Sequence, residues 1–292
     1  MRPIRLSLAA VAATVWLNLP AAATTVFPTK ITCPVGGEVF DGYAIGSWSS
    51  FGQRPDGRGY GTLPVYPLQE CPGNGFVIFD ETFTPDERTA LAAAVASPEY
   101  RALRTSETPH YRAWWLIDRI GRNPYQATWQ LLQASWESDE NFDRKVRYQA
   151  AFIAAATGLK RDDEHADHWT LYQVRAANAL RELGYFDKAA ALLDRIDKPE
   201  FLPADADDAK GAKELIAGLR TLIVEANPVS TPANLIPDRE AAQRCEIAIP
   251  PLTPIELTVC SKPEIAKLRK QAREWLDKEM RRREKDRPKP AG

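Results

Sequence analysis

Several signatures that would announce a function are missing from this 292-residue chain. Neither charge sign is in excess: 38 Lys and Arg stand against 39 Asp and Glu, a formal net charge of −1. Neutralising a phosphate backbone needs a basic face, so no nucleic-acid partner is expected. There is no glycine-rich phosphate loop, no dinucleotide fingerprint and no serine in a G-x-S-x-G turn. No cofactor and no catalytic residue is assigned. Beyond residue 23 no run stays apolar for the roughly 20 residues that cross a bilayer. Four cysteines are too few for a disulfide-dense miniature scaffold, and 44% hydrophobic residues with only 16 glycines exclude a disordered tail or a collagen-like fibre. What remains is an ordinary folded protein of one large or two modest domains.

What is present begins with residues 1–23. Arg2 and Arg5 precede an apolar stretch from Leu6 to Leu19, and Pro20-Ala21-Ala22-Ala23 supplies the small residues an export peptidase requires. The expectation is a cleaved signal peptide, a periplasmic or secreted location, and no transmembrane segment after cleavage. The lipobox cysteine of a lipoprotein is absent. Charge is unevenly spread. Residues 261–292 hold twelve basic and six acidic side chains, net +6, which leaves −9 on residues 24–260. Only the tail offers an anionic surface anything to meet.

Thiols of an exported chain are oxidised, and four of them allow three connectivities. Local pairing, Cys33 with Cys71 and Cys245 with Cys260, keeps each bond inside its own segment; four free buried thiols are the alternative. In the loop-entropy description each bond restricts the unfolded chain by about 3–4 kcal/mol.

Residues 29–83 read as short strands and turns. Thr29-Lys30-Ile31-Thr32 precedes a Cys33-Pro34 turn with Gly36-Gly37, and Cys71-Pro72-Gly73-Asn74-Gly75 repeats the idea before the apolar Phe76-Val77-Ile78-Phe79. Between them Ser47 to Pro67, rich in Gly, Pro, Ser and aromatics, reads as a loop crossing the surface. These residues resemble a family of uncharacterised bacterial proteins that open with a two-knuckle, zinc-ribbon-like segment and continue into tetratricopeptide-like helices. The correspondence runs from Thr29 to about Ile196 and rests on the Cys-Pro-Val-x-Gly opening, Pro64-Val65-Tyr66 and the Cys-Pro-x-x-Gly-Phe turn. The resemblance implies four thiolates around a metal, in two Cys-Pro-x-Cys-Gly knuckles. Gly36 and Asn74 occupy the places of the second cysteines, so that site is half lost. A disulfide between Cys33 and Cys71 is expected instead, which requires Cα atoms roughly 4.4–6.8 Å apart.

Thr84-Pro85-Asp86-Glu87 is a helix start with a capping hydroxyl, Pro at the first position and Glu three residues after the cap. Ser97-Pro98-Glu99 starts a second helix, Asn123-Pro124 another with Tyr125, Trp129, Leu132 and Trp136 as one apolar stripe, and Asn141 another with Phe142, Val146, Gln149 and Ile153 along one face. Leu171 to Ile196 resembles a tetratricopeptide repeat: Ala176, Ala177 and Leu180, the Leu183-Gly184-Tyr185-Phe186-Asp187 turn, then Ala189, Leu193 and Ile196. Gln173 stands where a large aromatic belongs, and Trp169 is assigned that packing. Trp129 to Ile153 and Ala206 to Ala226 are degenerate repeat candidates. Seven prolines from Pro228 to Pro263 forbid long regular structure there, and a last helix runs from about Pro263 to Lys285.

Candidate chemistry is sparse. Asp162-Asp163-Glu164-His165-Ala166-Asp167-His168 offers His165, His168 and Asp163 as weak metal ligands, against the reading that acids simply favour a helix N-terminus. His110 has no matched nucleophile. Trp48, among Gly and Ser, is the weak candidate for an exposed partner contact, while most other tryptophans read as core. The fold expected is mainly α, a tetratricopeptide-like α-hairpin array with a small N-terminal β-ribbon: ribbon at 24–83, helical body at 84–227, a Pro-rich disulfide-tied excursion at 228–262, and a helix with basic tail at 263–292. The function expected is an exported scaffold binding an unidentified envelope protein or peptide. An envelope hydrolase using carboxylates between ribbon and helices, and a metal-binding envelope protein, are the alternatives.

Overall fold

β-branched residues at the start of the ribbon favour extended chain, and they pair locally. In the computed structural model, which describes residues 24–285, β1 (Thr24–Thr32) and β2 (Val39–Trp48) form an antiparallel hairpin with Ile31 opposite Phe40. β3 (Ser50–Gln53) pairs with β4 (Gly59–Gly61), and β5 (Gln69–Glu70) with β6 (Val77–Ile78). The expected signal, residues 1–23, lies outside the described residues.

The two Cys-Pro turns have one geometry. The Cys33 amide donates to the Glu38 carbonyl (2.7 Å) and the Gly37 amide to Cys33 (3.2 Å); Cys71 and Gly75 make the same pair of bonds, to Phe76 (2.9 Å) and Cys71 (2.8 Å). Gly37 and Gly75 supply the positive φ these tight turns require. Cys33 and Cys71 are disulfide-bonded, with Cα atoms 5.7 Å apart. Asn74 ties the turns further, donating from Nδ2 to the Val35 carbonyl (2.7 Å) while its Oδ1 accepts the Phe76 amide (2.9 Å). Val35, Phe76, Phe79 and Phe83 continue as core against the first helices.

Those helices begin where their caps say. Thr84 and Glu87 complete a capping box for α1 (Pro85–Ala96), Ser97 caps α2 (Pro98–Ser106), Asn123 caps α4 (Pro124–Glu137) and Asn141 caps α5 (Phe142–Gly158); α3 (Pro109–Arg119) starts at a Pro. α6 (Ala166–Glu182), α7 (Phe186–Ile196) and α8 (Ala206–Val224) follow. From α3 to α8 each helix packs on the next through a short connection, so neighbours are antiparallel and α4, α6 and α8 run in one direction. Their core includes Leu131, Phe152, Tyr172, Ala176, Ala177, Ala189, Leu193, Ile216 and Leu219.

Four local expectations fail. The inward face of α5 is Tyr148, Gln149, Phe152 and Ala156; Phe142 is 77% exposed, because the first turn of α5 projects past its neighbours. α4 is buried almost all round between α3 and α5, and Trp129 stands at the margin of its stripe, 36% exposed. Residues 206–226 hold one helix, not a hairpin, since Asn227-Pro228 ends regular structure. Ser47 to Pro67 crosses the surface only in part: it carries β3 and β4, and Arg54-Pro55-Asp56 in the turn between them is buried against helices.

After residue 227 the prolines leave room for two short helices, α9 (Asp238–Ile247) and α10 (Pro254–Cys260), joined by the Cys245–Cys260 disulfide and packed with α11 (Pro263–Lys285). Glu256, fully buried at the centre, accepts from Arg244 Nε (2.8 Å) and Nη2 (3.0 Å) and from the Thr253 (3.1 Å) and Ala233 (3.2 Å) amides, so the charge is compensated on every side. Among the described residues no helix is long and apolar enough to cross a membrane.

Candidate functional site

Because α4, α6 and α8 are parallel and α6 touches α8 directly, their exposed flanks form one continuous face. One end of it is closed by the chain itself. The β3–β4 turn, Arg54-Pro55-Asp56-Gly57, lies across α6 and the end of α4 with Arg54, Pro55 and Asp56 all buried. The Arg54 guanidinium is clamped between two carboxylates, donating to Asp56 Oδ2 (2.5 Å) and Asp139 Oδ2 (2.6 Å). Lys145 also reaches Asp139 (2.8 Å), and Arg175 on α6 donates to the Pro55 carbonyl. Gly57 sits at φ +92°, and a Cβ there would stand 3.1 Å from Arg175 Nε, so the turn accepts no side chain without displacement.

The electrostatics follow from burial and pairing together. Burial would raise the Asp139 carboxyl, but Arg54 and Lys145 outweigh it and hold the group below its ordinary value. Burial pushes the Arg175 guanidinium down, with the Asp56 charge opposing. Arg54 is opposite in outcome: burial lowers it and the two aspartates more than restore it.

The other end of the face is open. Between α6 and α8 lies a cavity of about 450 Å³, floored by Leu171, Val174, Ala212, Leu215 and Leu235, with Arg54 and Pro55 as its closed end and Asp167, Asp207 and Asp208 around its rim. A second cavity of about 370 Å³ lies between α4 and α6, lined by Tyr125, Gln126, Trp129, His165, His168, Leu171 and Tyr172. His168 and Leu171 line both, so the two adjoin over the first turns of α6. The aromatic walls are held: Tyr125 donates to the Lys160 carbonyl (2.8 Å), Tyr172 packs beside it at 6.2 Å between centroids, and Trp129 meets Trp136 edge-on at 5.4 Å. The apolar surface runs on from Leu215 and Leu235 towards Ile255 and Val259, between α8 and α10.

The residues singled out from sequence are distributed unevenly. His165 and His168 reach the aromatic cavity, but His165 is stacked on Tyr125 at 4.3 Å with Nδ1 against Asp162 (2.8 Å) and Nε2 against Asn123 (3.1 Å). Asp163 is exposed and lines neither cavity, and no group of three metal-ligating side chains occurs among the described residues. Trp48 pairs edge-on with Tyr66 at 6.2 Å on the ribbon, half exposed and away from both cavities. The disulfides Cys33–Cys71 and Cys245–Cys260 lie in the flanking cores. His110 is fully buried, its Nδ1 2.7 Å from Glu137. Where ribbon meets helices, the place the hydrolase alternative gave to unspecified carboxylates, Asp56 and Asp139 are bound by Arg54 and Glu70 by Arg112 (2.7 Å).

Sequence reasoning missed Tyr125, Trp129 and Tyr172 as a lining, and missed the inserted turn. Pro55-Asp56-Gly57 is a turn signature and marks the bend; nothing local marks what the bend packs against. No family model, curated protein or solved structure matches the chain.

Proposed function

We propose that this is an exported, non-catalytic binding protein whose helical-hairpin array, capped by the disulfide-tied ribbon, receives an extended segment of a protein or peptide partner along the α4–α6–α8 face. The observation that carries the reading is the adjacency of the two cavities at His168 and Leu171, with an apolar floor and a polar rim. The inserted turn supports it, since it is a piece of irregular chain already bedded on the same face. Two disulfides support an oxidising location. The ribbon and the α9–α11 unit stiffen the two ends of the array, and the binding face lies between them.

The test is selection of peptides from a random display library by the oxidised protein, repeated with Leu171→Arg. Leu171 is half exposed on the ridge shared by both cavities, so the substitution fills the face without entering the core. Peptides selected by the parent protein and bound at least tenfold more weakly by the variant are expected. Failure to select any peptide, or equal binding by the variant, overturns the reading.

A further inference from the structure

We infer that the aromatic cavity at the N-terminal ends of α4 and α6 is a subsite for a cationic side chain, arginine or lysine, of a basic polypeptide segment. This rests on the binding reading above and specifies its ligand. Tyr125, Tyr172 and Trp129 share the cavity wall; the two tyrosines are buried, Tyr125 under His165, and Trp129 is the exposed ring, whose face attracts a cation through its quadrupole. The charges around the opening agree. Asp167, Asp207 and Asp208 on the adjoining rim are exposed, and none is ion-paired among the described residues. The two arginines that line the adjoining α6–α8 cavity offer nothing to an anion: Arg54 is held by Asp56 and Asp139, and Arg175 is buried against the Pro55 carbonyl.

Helix N-termini attract anions, and α6 and α8 both begin here. Their first turns already carry those three carboxylates, so the local charge presented to a ligand is negative. Residues 24–260 as a whole carry −9, which draws a basic segment toward the body over longer range. The inserted turn is the internal precedent. Arg54-Pro55 is a basic dipeptide whose guanidinium is bracketed by carboxylates and whose proline lies on α6. A second basic residue entering from the open end meets rings in place of the second carboxylate.

The probe is the acetylated peptide Ala-Arg-Pro-Lys-Pro-Ala amide, titrated at millimolar concentration into the oxidised protein while the Trp129 indole N–H resonance is followed by NMR. Controls carry citrulline, neutral and of the same shape, in place of Arg, or Glu in place of both basic residues. Binding that moves the Trp129 resonance and weakens about tenfold with citrulline is expected. In the variants, which lack that indole, affinity is read by calorimetry: Trp129→Leu, apolar without a π face, loses the difference between Arg and citrulline, and Trp129→Phe keeps it. Citrulline or Glu peptides binding as well as the parent, and still lost in Leu171→Arg, overturn the cationic subsite and leave peptide binding standing. Absence of binding by every peptide overturns the subsite, and the library selection then decides the wider reading separately.

Discussion

The two ends of the α4–α6–α8 face are finished in opposite ways. At the C-terminal end of α4 the chain has supplied its own occupant, a turn whose arginine is held by two aspartates and whose glycine leaves room for a buried arginine that a Cβ would crowd at 3.1 Å. At the N-terminal ends of α4, α6 and α8 the same face is left with aromatic walls, an apolar floor and exposed acids. The closed end pairs the charge of Arg54 internally and is therefore a stability feature. The open end leaves its groups for something else to satisfy, which is what a binding surface must do.

That contrast is broken most severely by Arg54→Ala. The substitution leaves Asp56 buried without its ion-pair partner, while Lys145 and Arg58 still hold Asp139, and removing one partner of a buried pair typically costs about 3–5 kcal/mol. Urea unfolding of the oxidised protein is expected to show a loss of that size, with limited proteolysis opening first at residues 50–61. A loss under about 1 kcal/mol would place the turn at the surface in solution and remove the distinction between the ends.

Gly57→Ala acts on the same end with a smaller expected effect. It places a Cβ at positive φ and 3.1 Å from Arg175 Nε, which costs about 1–2 kcal/mol in strain and displacement. Unfolding midpoints check the size. Amide exchange locates it, since faster exchange is expected at Gly57, whose amide donates to the Arg54 carbonyl (2.9 Å), and not in α1 or α11. Leu171→Arg at the open end inverts the pattern: stability within about 0.5 kcal/mol of the parent, as for surface substitutions elsewhere, and peptide binding abolished. If Leu171→Arg unfolds the protein, the open end is core and the comparison collapses.

How much of this was legible beforehand depends on the range of the interactions. The caps at Thr84, Ser97, Asn123 and Asn141 act over three or four residues and were read directly, as were the two Cys-Pro turns, whose repeated Gly positions carry their own geometry. Helix phase was less secure: Phe142 satisfies the periodicity of α5 yet lies beyond any partner, and Tyr148, one step out of that phase, is buried. The site was least legible. Arg54 is buried by Asp139, 85 residues away, and Tyr125 meets Tyr172 across 47. A sequence marks Arg54-Pro55-Asp56-Gly57 as a bend and Trp129 as one apolar position among several; only packing makes one a plug and the other a wall.

The smallest expected effect is that of pH, and its absence is the informative part. The Asp139 carboxyl is held below its ordinary value in the folded protein because Arg54 and Lys145 outweigh burial. A depressed folded value means the contribution to stability is complete above the unfolded carboxylate value, about 3.9, and is lost only as pH falls through the lower folded value. Between pH 5 and 8, then, Asp139 stays ionised, and exchange protection at Gly57, corrected for intrinsic rate, is expected to be flat. Below about pH 4 protonation of Asp139 weakens the clamp, and protection at Gly57 falls before that of Ala176 or Leu193 in the array core. Protection that declined already between pH 5 and 8 would mean that the carboxylates hold Arg54 loosely. The turn would then be a displaceable occupant, and the two ends of the face would differ in degree only.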